Sequence, residues 1–506
     1  MTEPNTTAET TAGQAEDRRW LALYVLCGGL LMIVLDATIV NVALPTIKHD
    51  LNFSQSNLAW VVNAYLIAFG GLLLLAGRLG DLIGQRKIFL IGLTIFTTAS
   101  LLCALSQSQA MLIGARFVQG AGGAIGSAVI LGMIVIMFPE PREQAKAIGV
   151  FSFIASAGAS IGLLAGGIIT EAISWHWIFA VNVPIGIAIG LLARRLVPDR
   201  EGLGLDQGAD VPGAALLTGG LMLGVYTLLQ AGEKGFGSLH TIGLGTIAIA
   251  LIAIFVARQA RIENPLMPLR LFRSRNVAGA NLTMGLLVVG FFGMFFLGAL
   301  YMQEILNYSP LGVGFAFLPS CLVMGTLSLG YAEKLIMGIG ARTALIAGLV
   351  LCLAGLLLFA RTPVDGNYIV DLFPVMVLLG AGAGTCFPAM MTLAMSGATQ
   401  EDAGLASGLV NTTTQVGGAI GLAVLATVAA ERTDALTGSV SHDAALNSGY
   451  HLAYLIGAAC IAGAIAVAVL VVRQPDLSAA GHDEGTAGEA VDAGERVREP
   501  AYSEVA

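Results

Sequence analysis

Charged residues are scarce in this sequence, and long hydrophobic runs take their place. Of the 506 residues, 11% are charged and 56% are hydrophobic, and the mean hydropathy is +0.81. An average soluble domain carries about 25% charged residues, so this composition excludes an ordinary soluble protein and predicts lipid as the main solvent. The net charge of −8 comes from acids that cluster in the tails and outer loops, and no nucleic-acid partner is predicted.

Motifs of catalysis and metal binding are also missing. The sequence has no C-x-x-C pair, no metal spacing among its six histidines and no Gly-x-x-x-x-Gly-Lys-Ser/Thr phosphate loop, so neither a metal nor ATP as an energy source is predicted. Gly158-Ala-Ser-Ile-Gly162 matches the hydrolase elbow, but it lies inside an apolar run with no preceding strand. We therefore predict a non-enzymatic protein without catalytic residues. The cysteines all fall in apolar stretches and are expected to be small core residues: Cys27, Cys103, Cys321, Cys352, Cys386 and Cys460.

Fourteen apolar runs are long enough to cross a bilayer, which takes about 20 residues. They predict an all-α integral membrane protein with 14 transmembrane helices. The predicted spans, numbered 1 to 14, are 20–45, 57–77, 88–106, 110–137, 146–170, 178–196, 211–231, 239–257, 277–302, 310–330, 343–360, 369–396, 404–430 and 450–472.

Lysine and arginine predict the orientation of these spans. If the N-terminus is cytoplasmic, 20 of the 25 basic residues fall in inner segments, four fall in outer segments, and Arg116 lies inside span 4. The positive-inside rule favours this arrangement. We therefore predict an even number of spans in the cell membrane, with both termini in the cytoplasm.

Two charged residues lie inside the predicted spans. At 1.5 Å per residue, Asp36 is about 14 Å from the outer end of span 1, and Arg116 is about 9 Å from the outer end of span 4. A charge in hydrocarbon costs roughly 2.5–3.5 kcal/mol, so it needs a reason. The functional interpretation is that Asp36 exchanges a proton as a pocket changes sides, with Arg116 as its partner. The alternative is a structural ion pair that joins the two spans.

Glycine marks two further features. The segment from Gly77 to Lys87 predicts a tight cytoplasmic turn with a gating role, carried by Gly77, Arg78, Gly80, Asp81, Gly84 and Arg86. Span 5 has a glycine face that predicts close helix packing, or gliding of helices during transport, formed by Gly158, Gly162, Gly166 and Gly167.

The turn recurs, in degenerate form, after span 10. When Gly340 is aligned with Gly84, Lys334 matches Arg78, Arg342 matches Arg86, and Met337 replaces Asp81. The offset of eight spans predicts two six-helix pseudo-repeat bundles with two inserted helices between them. The predicted domains are a cytoplasmic N-tail (1–19), an N-terminal bundle (20–196), an insert with flanking cytoplasmic loops (197–276), a C-terminal bundle (277–473) and a disordered cytoplasmic C-tail (474–506).

A substrate cavity is expected between the two bundles near the membrane midplane. Its candidate lining residues are Asn41, Asn63, Tyr65 and Gln119.

Four signatures carry a resemblance to a known family. They are Leu35-Asp36-x-Thr38-x-Val40-Asn41-x-Ala43-Leu44-Pro45, the turn from Gly77 to Lys87, Arg116-x-x-Gln119-Gly120, and Trp175-x-Trp177-Ile178-Phe179-x-x-Asn182-x-Pro184-x-Gly186. With them, residues 20 to 473 resemble the major facilitator superfamily, and more closely its fourteen-helix branch of multidrug-efflux drug:proton antiporters. The resemblance implies that Asp36 and Arg116 take part in proton coupling.

The chain departs from this branch at three places. Leu163 stands where the helix 5 antiporter signature of the branch has a proline, and Gln85 replaces a frequent arginine. Some relatives carry an acid deep in helix 10 for dicationic substrates, and span 10 has none. Monovalent, neutral and anionic substrates therefore all stay open.

These observations together predict a secondary active transporter that exports small amphipathic compounds, such as drugs, antibiotics or secondary metabolites, in exchange for protons. No cofactor is expected besides the proton gradient. The expected partners are the small-molecule substrate, protons and the lipid bilayer, and a monomer is expected. Two alternatives remain: a proton-coupled carrier dedicated to one metabolite, even an importer, and a non-transporting membrane scaffold or sensor.

Overall fold

The computed structural model describes residues 6–199, 202, 204, 209–235, 237–262, 265–396 and 403–474. Most of the predicted C-tail, 474–506, lies outside these residues. The α-helices are α1 (Thr6–Asp50), α2 (Gln55–Ile83), α3 (Gln85–Ala104), α4 (Gln109–Ser127), α5 (Ile130–Met137), α6 (Pro141–Ala172), α7 (His176–Ala180), α8 (Asn182–Leu196), α9 (Val211–Lys234), α10 (Leu239–Gln259), α11 (Arg275–Leu300), α12 (Pro310–Thr326), α13 (Ala332–Ile339), α14 (Ala341–Phe359), α15 (Phe373–Ser396), α16 (Ala403–Leu436) and α17 (His442–Leu470).

The predicted all-helical membrane fold is confirmed. Among the described residues, 12 helical stretches are long and apolar enough to cross a membrane. Two shorter apolar stretches, Ile161–Ala172 and Pro310–Thr326, coincide with predicted spans 5 and 10. Both belong to longer helical segments: α6 has 32 residues, and α12 continues through a π-helical segment, Leu327–Tyr331, into α13.

Several predicted boundaries differ from the structure. Span 1 was predicted to end at Pro45, but α1 continues through this proline to Asp50, as transmembrane helices do where neighbouring groups satisfy the freed backbone. Predicted span 4 is divided into α4 and α5 by a short turn after Ser127. Predicted span 6 is divided into α7 and α8 at Val181.

The two glycine turns have the same backbone geometry. Gly84 ends α2 with φ 111°, and Gly340 ends α13 with φ 86°, a region of φ that is open to glycine and strained for other residues. Arg86 donates to the carbonyl of Val197, 3.1 Å away at the end of α8. Arg342 donates to the carbonyls of Ala468 and Val469 at the end of α17. The predicted alignment of the two turns is therefore confirmed.

Helix packing repeats in the same way along the chain. In the first part of the chain α1 packs on α6, α3 on α4 and α3 on α8; in the last part α11 packs on α16, α14 on α15 and α14 on α17. The two groups of helices meet through α2 with α16 and through α6 with α12. The inserted helices α9 and α10 pack on each other, and α9 also contacts α2 and α16.

Asp210 joins the two inserted helices. Its carboxylate caps α9 by accepting from the Gly213 N–H at 2.9 Å, and it accepts from Arg258 Nε at 2.7 Å and Gln259 Nε2 at 2.6 Å. Burial raises the pKa of Asp210, but these hydrogen bonds outweigh it and hold the pKa below its ordinary value. The inserted hairpin is thus fixed at the end where α9 begins.

Candidate functional site

Asp36 and Arg116 form a salt bridge inside the helix bundle. Arg116 Nη1 on α4 lies 2.5 Å from Asp36 Oδ2 on α1, and both side chains are fully buried. The structure thus brings together the two charged residues that lie inside the predicted spans, and their part in proton coupling stays a prediction. A buried charge pair is tolerated only when further hydrogen bonds satisfy the remaining polar atoms, so the surroundings of the pair matter as much as the pair itself.

A shell of neutral polar side chains surrounds the carboxylate. Gln119 Nε2 donates to Asp36 Oδ1 at 2.7 Å, and Asn182 Nδ2 donates to the same oxygen at 2.9 Å. Ser100 Oγ on α3 accepts from Gln119 at 2.7 Å and from Asn182 at 3.4 Å. Side chains from α1, α3, α4 and α8 therefore meet in one buried network.

Arg116 has a second set of contacts on its other side. Its Nε donates to the Val61 carbonyl of α2 at 3.0 Å. Its guanidinium carbon lies 4.3 Å from the centre of the Tyr65 ring and 5.6 Å from the centre of the Phe179 ring, distances at which aromatic faces attract a cation. Nη2 has no hydrogen-bond partner among the described residues. The cation thus keeps partial stabilisation when the charge on Asp36 changes.

The arrangement suits reversible protonation of Asp36. The carboxylate accepts three hydrogen bonds and pairs with one cation, so the ionised form is satisfied although it is far from water. Protonation removes the charge that holds Arg116 and changes what each surrounding donor contacts. Because four helices contribute to the network, a change of charge at Asp36 would alter the contacts that hold these helices together.

Two of the four predicted cavity residues belong to the ion-pair site, and the other two form no hydrogen bond with its described residues. Gln119 and Tyr65 belong to the ion-pair site, as its hydrogen-bond donor and its aromatic platform. Asn41 is half-buried and donates to the Thr38 carbonyl at 3.3 Å. Asn63 is fully buried, and neither polar atom of its amide has a partner among the described residues. Buried polar groups are normally hydrogen-bonded, so this amide is a candidate to bind water or a ligand.

An apolar groove opens elsewhere on the helix surface. Its volume is about 450 Å³, and its lining includes Trp60 and Ile113 together with Met222 and Tyr226 of α9. The predicted cavity residues do not line this groove.

The predicted gating turn is partly explained by the structure. Gly77 has open space around it, whereas a Cβ on Gly80 would lie 2.3 Å from Val129 Cγ1. Arg86 pairs with Asp199 at 2.5 Å. Asp81 is exposed and forms no salt bridge with the described residues, so a gating role for it stays a prediction.

The glycine face of α6 packs against two helices. A Cβ on Gly158, Gly162 or Gly166 would lie 2.9, 2.0 and 2.6 Å, respectively, from atoms of α1. A Cβ on Gly167 would lie 2.8 Å from the backbone of Leu311 on α12. The glycines therefore allow α6 to approach both α1 and α12 closely, and their part in gliding stays a prediction.

Sequence reasoning missed three members of the polar contacts. Asn182 belonged to a quoted signature but was given no role, and Ser100 lies in an ordinary apolar run. The third is Glu304, on a π-helical segment after α11, which forms a salt bridge with Lys48 at the end of α1 and accepts from Tyr450 at 3.0 Å. Of these three residues, only Asn182 lies in a sequence signature from which its role could have been predicted.

Cys103 on α3 contacts the polar network by donating from Sγ to Gln119 Oε1 at 3.5 Å. The six cysteines are free, and five of them are buried. Among the described residues, no group of three histidine, cysteine, aspartate or glutamate side chains could hold a metal ion.

The fold and the site together define a class of protein. A repeated bundle of apolar helices with a polar, ion-paired centre is the plan of a secondary membrane transporter.

Comparisons with known proteins lead to the same class of protein. The model of the Major Facilitator Superfamily matches residues 26–422. The puromycin resistance protein pur8 of Streptomyces alboniger is 38% identical over 84% of this chain and 85% of its own length. The cephamycin export protein CmcT of Amycolatopsis lactamdurans is 37% identical over 81% of this chain and 85% of its own.

Among solved structures, that of the nucleoside transporter NupG shares the fold. It has a TM-score of 0.63 at 12% identity and covers 90% of this chain and 100% of its own. The chain belongs to the Major Facilitator Superfamily, and it is a multi-pass membrane transporter.

Proposed function

We propose that this chain exports small amphipathic compounds, such as drugs, antibiotics or secondary metabolites, across the cell membrane in exchange for protons. The observation that carries the proposal is the fully buried Asp36–Arg116 pair with its shell of polar donors. The relatives support the direction and the substrate class, because one is described as a puromycin resistance protein and another as a cephamycin export protein. Their similarity covers more than four fifths of the chain.

The topology that we propose has fourteen spans. It counts α6 and α12 as membrane-crossing helices in addition to the 12 longer apolar stretches. The domains then follow the predicted boundaries, with bundles at 20–196 and 277–473 and the inserted helices between them. Both termini lie in the cytoplasm in this arrangement, which agrees with the arginines Arg194 and Arg195 at the end of α8.

Contacts across the predicted outer end of the bundles support alternating access. Besides the Lys48–Glu304 salt bridge, Gln303 Nε2 donates to the Val42 carbonyl at 2.8 Å, and the Leu311 N–H donates to Glu171 at 3.1 Å. These contacts join α1 and α6 to the helices of the second bundle. We infer that the structure is closed on the outer side, and that export requires these contacts to open.

The coupling step follows from the charge of Asp36. When Asp36 is ionised, Arg116, Gln119 and Asn182 hold it, and the four helices are tied together. When it is protonated from the outer side, the ion pair is lost and the helices can repack toward the inward-facing state, where the proton is released and the ion pair forms again. A proton taken up from outside and released inside would thus drive one cycle of outward movement of the substrate.

The energy of one proton is sufficient for a pump of this kind. A membrane potential of about 100 mV supplies about 2.3 kcal/mol per charge, and one pH unit adds about 1.4 kcal/mol. Since 1.4 kcal/mol is tenfold in a concentration ratio, one proton can hold a gradient of a neutral substrate of roughly several hundredfold.

The test begins with a growth assay in a host that lacks its own pumps, using a panel that includes puromycin and a cephamycin. The protected compound is then loaded into vesicles that contain the purified protein, and its loss is measured with and without a pH gradient. Asp36→Asn should stay in the membrane and lose the acceleration by the gradient. Asp434→Asn, at an exposed acid on α16, should behave as the wild type. Full gradient-driven efflux by Asp36→Asn would contradict the coupling role.

The same vesicles separate the alternative carriers. An importer would accumulate the compound when the proton gradient points inward, instead of losing it. A scaffold or sensor would move nothing in either direction, and it would protect the host from no compound in the panel.

A further inference from the structure

We propose that Asn182 is a positioning residue for proton exchange, which holds Asp36 in both of its protonation states by presenting opposite ends of its side-chain amide. The inference rests on the proposed role of Asp36 in proton coupling. Asn182 does not itself bind the proton. Instead, its hydrogen bonds set the proton affinity of Asp36 and transmit the change in protonation to α8.

The position of Asn182 in the fold suits this role. It is the first residue of α8, directly after the junction with α7 at Val181, and it is 3% exposed. The preceding segment is fixed at its other end, because Trp175 Nε1 donates to Asp50 Oδ2 at 2.8 Å. The side chain therefore reaches Asp36 from a break between two helices, where a small change in direction can be transmitted along α8.

Asn182 differs from Gln119, the other amide at the carboxylate. The Gln119 carbonyl oxygen accepts from Arg116 Nη1 at 2.7 Å and from Cys103 Sγ at 3.5 Å, so this amide is fixed in one orientation. The side-chain hydrogen bonds of Asn182 to the described residues are donations from Nδ2, at 2.9 Å to Asp36 and at 3.4 Å to Ser100. Only the first of these two is short, so Asn182 is the amide that can turn.

An amide that turns can satisfy either form of an acid. Its NH₂ group donates to a carboxylate, and its carbonyl oxygen accepts from the O–H of a carboxylic acid. Among the described residues, the ionisable groups that interact electrostatically with Asp36 are Arg116 on α4, Tyr65 on α2 and Cys103 on α3. Arg116 carries no acceptor, so Asn182 supplies the acceptor that the protonated acid needs.

The test titrates Asp36 directly, in the full-length protein reconstituted in vesicles. Infrared difference spectra follow the carboxylic-acid C=O band with pH, and the band of Asp36 is the one that disappears in Asp36→Asn. In Asn182→Leu the midpoint should rise by about one pH unit, tenfold in proton affinity, because the lost bond to the carboxylate is charge-assisted and stronger than the lost bond to the neutral acid. The band should also move to higher frequency, since the O–H has lost its acceptor.

Two further variants make the result decisive. Asn182→Asp has the same shape and keeps the site foldable; it should raise the midpoint further, because two adjacent carboxyl groups share one proton. The control is Asn447→Leu, a buried asparagine on α17 that donates to the Thr362 carbonyl. It should leave the Asp36 midpoint and band unchanged.

The outcomes separate the two proposals. An unchanged midpoint and band in both Asn182 variants would overturn the role of Asn182, even if Asp36→Asn abolishes coupled efflux. Coupled efflux that persists in Asp36→Asn would overturn the proposed function itself, whatever the Asn182 variants show.

Discussion

The two six-helix groups share a backbone arrangement but differ in the chemistry of their centres. A Cβ on Gly120 of α4 would lie 2.3 Å from the backbone oxygen of Tyr65, and a Cβ on Gly380 of α15 would lie 2.3 Å from the backbone oxygen of Ser320. Gly92 approaches the backbone of Gly122 on α4 in the same way as Gly348 approaches Gly382 on α15. These close approaches place the residues of the two groups in register.

The same register identifies the counterparts of the ion-pair site. Gly158 packs on Val34 of α1, and Gly417 packs on Val288 of α11, which aligns Asp36 with the buried glycine two residues after Val288. The alignment of glycines on the other helices gives the remaining counterparts. The positions of Asp36, Ser100, Arg116 and Gln119 are occupied in the second group by Gly290, Leu356, Met376 and Leu379, all of them buried.

The comparison of the two groups indicates that this helix arrangement does not require the ion pair. The second group packs with the same close approaches and has glycine or apolar side chains at these four positions. Burying an ion pair in place of apolar side chains brings little or no stability. A structural reason for the charged network is therefore weak, and the comparison favours a functional one.

The largest effect is expected when one partner of the pair is replaced by its apolar counterpart. Arg116→Met leaves an uncompensated carboxylate in the bundle, so unfolding in detergent should be easier by about 3–5 kcal/mol. The double variant Asp36→Asn with Arg116→Met makes the site neutral and should recover most of this loss, yet it should have no proton-coupled efflux. Thermal unfolding and vesicle efflux, measured on all three proteins, check the prediction. A double variant as unstable as Arg116→Met would mean that the network is structural.

Next in size is the glycine packing that the two groups share. Gly162→Ala would place its Cβ 2.0 Å from Thr38 Oγ1, and Gly421→Ala would place its Cβ 2.6 Å from Val289 Cα. Overpacking of this kind costs about 1–3 kcal/mol, so both variants should lose similar amounts of stability. Gly77→Ala, with open space at its Cβ, is the matched control and should be neutral. A clear loss of stability in only one of the two glycine variants would contradict the equivalence of the two six-helix groups.

How far the sequence could predict these features depends on the range of each interaction. The Asp36–Arg116 pair was predictable, since charges in apolar runs must find partners, and the repeated turn was visible in the spacing of Gly84 and Gly340. The contacts of Ser100 and Asn182 were not, because they depend on how α3 and α8 are rotated against α1. Lys48 and Glu304 are 256 residues apart in sequence, and both lie between predicted spans, so no sequence pattern connects them.

A smaller effect is expected at the contact that joins the two groups. Lys48→Met removes the salt bridge to Glu304. The side chain of Lys48 is only 20% exposed, and that of Glu304 is only 11% exposed. A loss of about 1 kcal/mol should raise the population with separated outer ends about fivefold. Spin labels at exposed His49 and Ser439, in a Cys460→Ser background because the other five cysteines are buried, would report the distance. An unchanged distance distribution would show that the salt bridge does not hold the outer side closed.

The smallest effects concern the two arginines after the glycine turns. Arg86→Ala and Arg342→Ala each remove a cation from carbonyls at the end of a last helix, a contact worth about 0.3–1 kcal/mol. Both variants should therefore unfold slightly more easily and by similar amounts, as measured in the same thermal assay. Arg86 also pairs with Asp199, so a modestly larger loss of stability in Arg86→Ala would agree with equivalent turns. A much larger loss of stability in Arg342→Ala would contradict their equivalence.

Counting the protons that are exchanged on substrate binding tests directly whether Asp36 couples protons to transport. The compound identified by the growth panel is added to purified protein in weakly buffered detergent solution, and the change in pH is followed at several starting pH values. We expect the wild type to release or take up protons on binding over a limited pH range, and Asp36→Asn to exchange none. Equal proton exchange by the wild type and Asp36→Asn would contradict the claim that this buried carboxylate couples protons to transport.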